Sequence, residues 1–177
     1  TFTFQANLAD FGAAIGSDES LREVFRAEIT ESVGTLRAAF DAGVPLLTGS
    51  ESGFSLTPYG DWHYRELQVF VEDLGMTPLQ AINSATEQGA RALKLEGELG
   101  CIKPDYLADI LVFDGEPETH VTQLGDADRF RHIIKDGRLV DSSTPLPKEW
   151  QLPGWRVSEY SERILTKELV QSMGLNP

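Results

Sequence analysis

The stretch from Leu21 to Gly53 restricts the fold more than any other part of this sequence. From Leu21 to Phe40, apolar residues recur at the spacing of one helix face, and Gly43 ends the predicted helix. The apolar run Val44-Pro45-Leu46-Leu47 follows, which is typical of a short strand buried on both faces. Directly after it comes Gly49-Ser50-Glu51-Ser52-Gly53, so we expect Glu51 at the end of a buried strand. In barrels of alternating strands and helices, that end of a strand is where chemistry is done.

Two further helices are predicted after this loop. The first runs from about Asp61 to Leu74. The second has the clearest start in the sequence, because Thr77 suits the N-cap, Pro78 the first helical position and Gln80 the third, as in a capping box. Its predicted apolar stripe consists of Leu79, Ile82, Ala85 and Leu93.

After Gly97 the apolar period changes to two residues. Residues 108–113 predict a strand, and residues 131–141 predict a hairpin that turns at Asp136-Gly137, a pair that type I′ turns prefer. This half of the sequence therefore predicts a small β module.

The two ends of the sequence carry weaker patterns. Phe2 and Phe4 alternate with threonines, which predicts a strand running into a loop over residues 1–10. Residues 142–177 are proline-rich and include Trp150 and Trp155, so we expect an extended tail packed on a neighbouring surface. A last helix is predicted from about Ser158 to Met173.

Size and charge limit the partners. A chain of 177 residues is too short for a complete (β/α)8 barrel, which takes about 250. Its net charge of −13 argues against nucleic acid or an anionic membrane as a partner, since both need a basic face. No apolar run approaches the roughly 20 residues that span a bilayer, and no signal peptide opens the sequence. The single cysteine, Cys101, excludes an internal disulfide framework. We expect a soluble cytoplasmic protein.

Several polar residues are candidates for a site near Glu51. Glu51 is either a catalytic acid or a loop carboxylate that caps the next helix, and Ser50 and Ser52 either bind substrate or only form the turn. His63 lies on the loop that leads into a helix, where a substrate contact competes with a structural or solvated role. Arg65 is a lesser substrate-binding candidate, the alternative being an ion pair with Glu66 that anchors the helix to the barrel.

The remaining histidines and the cysteine are poorer candidates. His120 and His132 belong to the predicted β module, away from Glu51, so we expect no catalytic role for either. Cys101 lies in a turn and is expected to be a buried thiol.

Three stretches together resemble the amidohydrolase superfamily, especially its imidazolonepropionase- and prolidase-like branch. They are AGVPLLTGSESG at residues 42–53, the run from HYREL to VFDG at residues 63–115, and HIIKDGRLV at residues 132–140. The resemblance covers roughly residues 20–141 and is specific, because separate motifs agree in order and spacing.

The resemblance implies an α/β fold: the last βα units of a (β/α)8 TIM-like barrel in residues 1–96, and part of a small β-sandwich domain in residues 97–141. Residues 142–177 would form an extended tail and terminal helix. The superfamily normally binds one or two divalent metals through a His-x-His pair, a carboxylated lysine or glutamate, two later histidines and an aspartate. This sequence has no His-x-His pair, and Glu51 stands where the superfamily has the aspartate, which both ligates metal and accepts a proton.

On this resemblance, the expected function is metal-dependent hydrolysis of a C–N bond such as an amide, carbamate or cyclic amide. Glu51 would be the catalytic residue and a metal ligand; Ser52, His63 and Arg65 would bind a small-molecule substrate; and zinc is the first choice of metal. The expected partners are the N-terminal part of the same enzyme and further copies of the chain. Two alternatives remain: a non-catalytic structural or regulatory subunit that retains the barrel half, or a relative that acts on C–O, C–Cl or P–O bonds.

Overall fold

The computed structural model describes residues 1–142 and 164–177, in which helices dominate the first part and a small sheet follows. The helices are α1 (Thr3–Phe11), α2 (Glu19–Asp41), α3 (Tyr64–Glu72), α4 (Pro78–Ala85), α5 (Glu87–Ala92) and α6 (Lys167–Ser172). The strands are β1 (Ile110–Phe113), β2 (Phe130–Lys135) and β3 (Arg138–Leu139). The mixture of helices and sheet agrees with the predicted class at the coarse level.

The first residues form a helix, so the strand predicted over residues 1–10 is wrong. The cap of α1 comes from a distant residue: Glu66 Oε2 accepts hydrogen bonds from the backbone N–H groups of Phe2 and Thr3, at 2.7 and 2.9 Å, and from Thr3 Oγ1 at 2.9 Å. An ionised carboxylate is a favourable partner for the free N–H groups of a helix start. A contact between residues more than 60 positions apart leaves no local signal in the sequence.

Helix α2 confirms the long helix predicted from the spacing of its apolar residues. Asp18 caps its start by accepting from the N–H of Leu21 at 2.8 Å, and Gly43 follows its end with φ at +80°. A positive φ is a conformation that glycine adopts without strain. One apolar stripe of α2 packs on the first core through Ile29, Val33, Leu36 and Phe40. The buried members of this first core are Phe2, Ala6, Leu67, Val69, Phe70, Leu74, Met76, Ala81 and Val121.

The run Val44–Leu47 forms no strand, so the predicted buried strand is wrong for the described residues. Val44 and Leu47 are 49% and 52% exposed. A strand buried on both faces needs neighbouring strands and covering helices. The described part of the chain provides no strand beside this run.

Helices α3 and α4 pack around the first core, and α5 contacts α4. The capping box of α4 is confirmed, with Thr77 accepting from the N–H of Gln80 at 3.3 Å and Gln80 Oε1 accepting from the N–H of Thr77 at 2.8 Å. The predicted apolar stripe is buried only in part, because Ile82 packs on the first core whereas Leu79 and Leu93 are 62% and 69% exposed. The helix is broken at Thr86, and the buried residues of α4 and α5 are small: Ala81, Ser84 and Ala90.

The second half contains the predicted strand and hairpin in a three-stranded antiparallel sheet of order β1-β2-β3. Asp136 and Gly137 have φ of +49° and +72°, the two positive values that a type I′ turn requires. Leu111 and Leu139 remain more than half exposed, so one small sheet leaves apolar side chains uncovered.

A second core joins the end of the chain to its beginning. Its members come from α1, from the turn after it, from residues 56–64 and from residues 165–170: Leu8, Phe11, Ile15, Leu56, Trp62, Tyr64, Leu165 and Val170. Helix α6 begins at Lys167, later than predicted, because Thr166 caps it by accepting from the N–H of Leu169 at 3.2 Å. The predicted tail with Trp150 and Trp155, and the predicted helix before residue 164, lie outside the described residues. Within residues 1–142 and 164–177, no helix is long and apolar enough to cross a bilayer.

Candidate functional site

Glu51 lies at a backbone position that a non-glycine residue seldom adopts. Its φ is +50°, and its side chain is exposed. Thr57 holds the turn in place through two hydrogen bonds. Its hydroxyl donates to the carbonyl oxygen of Glu51 at 2.7 Å, and its carbonyl oxygen accepts from the N–H of Gly53 at 2.9 Å. Left-handed non-glycine residues are found preferentially at functional sites, since the strain persists only where neighbouring contacts impose it. The turn therefore presents one carboxylate to solvent.

Ser50, Ser52 and His63 form a small polar group beside this turn. The hydroxyl oxygens of Ser50 and Ser52 are 2.7 Å apart, and Ser52 Oγ lies 3.4 Å from each ring nitrogen of His63. The N–H of Gly60 donates to His63 Nε2 at 3.4 Å. The fold thus brings Ser52 and His63, 11 positions apart, into contact, and both lie in the same short loop system as Glu51.

The protonation of His63 follows from its surroundings. Partial desolvation lowers the pKa of its imidazole below the ordinary value of 6.5, and the nearby Asp61 carboxylate opposes this shift more weakly. His63 is therefore neutral at pH 7, with one ring nitrogen able to accept a proton or a hydrogen bond.

Arg65 is engaged elsewhere. Its side chain is buried, its guanidinium forms an ion pair with Asp10 and donates to Gln68 Oε1 at 2.8 Å, and it lies 5.3 Å above the ring of Phe11. This ion pair joins α3 to α1, so Arg65 does anchor its helix, but the partner is Asp10 and the predicted pairing with Glu66 is wrong. A substrate contact for Arg65 stays a prediction.

Asp61, Trp62 and Lys167 are neighbours of the site that the sequence did not single out as a unit. Trp62 Nε1 donates to the carbonyl oxygen of Leu165 at 2.7 Å, and the N–H of Lys167 donates to Asp61 Oδ2 at 3.2 Å. Burial raises the pKa of Asp61 above the ordinary 3.8, although the N–H of Lys167 works against the shift. Desolvation lowers the pKa of the Lys167 amine, which lies 4.5 Å from the centre of the Tyr64 ring. In the sequence, the only local sign that Asp61 and Trp62 belong near the site is their position directly before His63.

The described residues do not make a complete metal site. A carboxylate is a ligand that zinc accepts, so Glu51 suits one position of such a site. No group of three or more histidine, cysteine, aspartate or glutamate side chains comes together in residues 1–142 and 164–177. His132 lies on β2 and His120 hydrogen-bonds Thr119 at 2.8 Å, both in the β module. Further ligands would have to come from outside the described residues.

Comparison with known proteins gives one family match and relatives with recognisable sequence similarity. Residues 14–140 match the model described as the amidohydrolase family. Imidazolonepropionase of Rhodococcus jostii is 35% identical over 107 residues, which are 60% of this chain and 26% of that protein. Ochratoxinase of Aspergillus niger is 30% identical over 104 residues, 58% of this chain and 21% of that protein.

Solved structures of similar fold are also found. A putative prolidase from Bifidobacterium longum superposes with a TM-score of 0.68 at 23% identity, over 82% of this chain and 35% of that one. A Xaa-Pro dipeptidase with bound methionine superposes with a TM-score of 0.61 at 28% identity, over 78% and 33%. The chain thus spans about a quarter or less of the curated relatives named above and about a third of these solved chains.

Proposed function

Because this chain belongs to the amidohydrolase family, as its motifs predicted, we propose that the complete protein is a metal-dependent hydrolase of C–N bonds. Residues 14–140 would be the closing part of its catalytic barrel together with strands of its small β domain. The observation that carries the proposal is the family match over a segment that includes the strained Glu51 turn and the adjoining Ser52–His63 contact. Relatives named imidazolonepropionase, ochratoxinase and Xaa-Pro dipeptidase support an amide or related C–N bond as the target.

The remainder of the barrel is the proposed partner of this chain. Val44 and Leu47 are half exposed in a segment without secondary structure, and Leu79 and Leu93 are exposed on α4 and at the end of α5. Neighbouring barrel strands and helices would cover these side chains and give Val44–Leu47 the strand partners that the described residues lack. A second copy of the protein and a cytoplasmic location are further expectations.

Glu51 is the proposed proton carrier. Its carboxylate accepts a proton from the attacking water as the C–O bond forms, and then transfers that proton to the leaving nitrogen, so that the C–N bond breaks. Neutral His63 and Ser52 Oγ offer hydrogen bonds to a substrate at the same loop. A divalent metal, zinc by preference, supplies Lewis acidity and lowers the pKa of water toward neutrality; Glu51 is the one ligand proposed from this chain.

The test uses the complete protein with Xaa-Pro dipeptides and N-acyl amino acids as substrates, Met-Pro being the first. Glu51→Gln removes the proton acceptor with little change of shape and should lower kcat by at least about a hundredfold. Glu118→Gln, an exposed glutamate of the β half, is the matched control and should leave kcat unchanged.

Glu51→Asp measures whether the site is adapted to glutamate. Shortening the side chain moves the carboxylate by about 1 Å, and an error of that size costs about a hundredfold in rate where positioning matters. Unchanged turnover in Glu51→Gln contradicts the proposal. An inactive complete protein that holds far less than one divalent ion per chain favours the structural subunit instead.

A further inference from the structure

We propose that residues 164–172, the C-terminal segment, position the site loop of residues 51–63 and thereby place His63 and Ser52 for substrate. The proposal rests on the proposed function for its consequence, but its structural claim stands on contacts within this chain. The segment lies beyond residues 14–140, which match the family model.

Two residues of the segment hold the site loop near both of its ends. The N–H of Leu165 donates to the carbonyl oxygen of Ser55 at 2.7 Å, and the carbonyl oxygen of Leu165 accepts from Trp62 Nε1 at 2.7 Å. The N–H of Lys167 donates to Asp61 Oδ2 at 3.2 Å. The loop therefore forms three hydrogen bonds with a segment more than 100 positions away, accepting two and donating one.

Packing supports the same attachment. Leu165 and Val170 are fully buried, and they join Leu56 and Trp62 of the loop in the second core. Trp62 also stacks on Phe11 of α1, with ring centres 5.4 Å apart. Because Trp62 is fixed by the C-terminal segment on one side and by α1 on another, it is held at a single position.

The next residue carries this position into the site. Trp62 is buried whereas His63 is exposed and reaches Ser52 at 3.4 Å. A shift of Trp62 would displace His63, since the two are adjacent in the chain and His63 precedes the first turn of α3. Trp62, Asp61 and Lys167 are thus positioning residues, which act through His63 and need not touch substrate.

The first test is amide hydrogen exchange in the complete protein. Trp62→Phe keeps an aromatic ring but removes the N–H that bonds Leu165. We expect exchange of the amide hydrogens of residues 51–63 to accelerate about fivefold, the factor given by the loss of one ordinary hydrogen bond. Exchange in β1 and β2 should stay unchanged.

A second pair of variants isolates one backbone hydrogen bond. Lys167 is the first residue of α6, where proline is tolerated, and Thr166 already has the extended backbone that a following proline requires. Lys167→Pro removes the N–H that bonds Asp61 together with the amine, whereas Lys167→Ala removes the amine alone. We expect faster exchange at residues 59–63 in Lys167→Pro than in Lys167→Ala. Gln171→Ala, an exposed position of α6, is the control for general damage to the helix.

The second readout is the NMR titration of the His63 ring, assigned by its loss in His63→Gln. If the segment positions His63, loosening the loop relieves the partial desolvation of the ring, and its pKa rises toward 6.5 in Trp62→Phe and Lys167→Pro but not in Gln171→Ala. A purely structural role predicts uniform acceleration of exchange and an unchanged titration. That result, or exchange in the site loop equal to the wild type, overturns the proposal. Neither readout needs turnover, so a failure here is separate from a failure of the Glu51 test.

Discussion

Glu66 offers the sharpest test of the fold, because one carboxylate from α3 caps the start of α1. The side chain is 2% exposed, and its Oε2 accepts two backbone N–H groups and one hydroxyl within 3 Å. Glu66→Ala leaves the two N–H groups of Phe2 and Thr3 without this acceptor. Each buried unsatisfied donor costs about 1–3 kcal/mol, so we expect a loss of about 3–5 kcal/mol when the cavity is included.

Glu66→Gln separates charge from shape. The amide oxygen can still accept, but the negative charge that favours a helix start is gone, and one amide N–H₂ group enters a site built from donors. We expect a loss of about 1–3 kcal/mol. The assay is urea unfolding of the complete protein, in which the midpoint should fall while the slope of free energy against urea stays constant.

Glu72→Gln is the matched control, because Glu72 is exposed at the end of the same helix and contacts only Gln68 among the hydrogen bonds described. Its effect should stay within about 0.5 kcal/mol. If Glu66→Ala costs no more than this control, the capping contact and the helical start of the chain are both refuted.

Two further predictions follow from local geometry. Gly137→Ala places a Cβ at a φ of +72° and should destabilise the protein by about 1–2 kcal/mol. Gly34→Ala lies in the interior of α2 with open space at the Cβ, so it should stabilise the protein by about 0.5–1 kcal/mol. Thermal unfolding compares the two variants, and a stability change of the same sign in both would contradict the assigned turn. Burial raises the pKa of Asp61, so its native form favours the proton, and stability falls as pH rises from the ordinary value of 3.8 through the higher native pKa. Asp61→Asn should therefore gain stability at pH 7 and lose that gain below pH 3.8, measured as urea midpoints across pH; a gain that is independent of pH would contradict the assignment.

The sequence predicted the elements whose signals are local. Thr77, Pro78 and Gln80 determine the start of α4 within four residues, and Asp136-Gly137 determines the hairpin turn, so both could be located from neighbours alone. The family resemblance was also available from the sequence, because its motifs are contiguous stretches.

The errors arose where distant residues decide the outcome. Residues 1–10 are helical because Glu66 caps them, and two alternating phenylalanines were too short a pattern to oppose it. Val44–Leu47 has the composition of a buried strand, but pairing needs strands that the described residues do not provide. In the candidate site, contact between Ser52 and His63 was not predicted, and the attachment of Leu165 and Lys167 depends on packing across more than 100 positions.

The central claim is that the Glu51 carboxylate belongs to a divalent metal site completed by the rest of the protein. The most direct measurement is a crystal structure of the complete protein with zinc, with the ion located by its anomalous scattering. We expect a zinc ion about 2.0–2.2 Å from a Glu51 carboxylate oxygen, inside a barrel whose strands flank Val44–Leu47. A carboxylate directed away from the barrel interior, or a zinc ion held without it, would contradict the account.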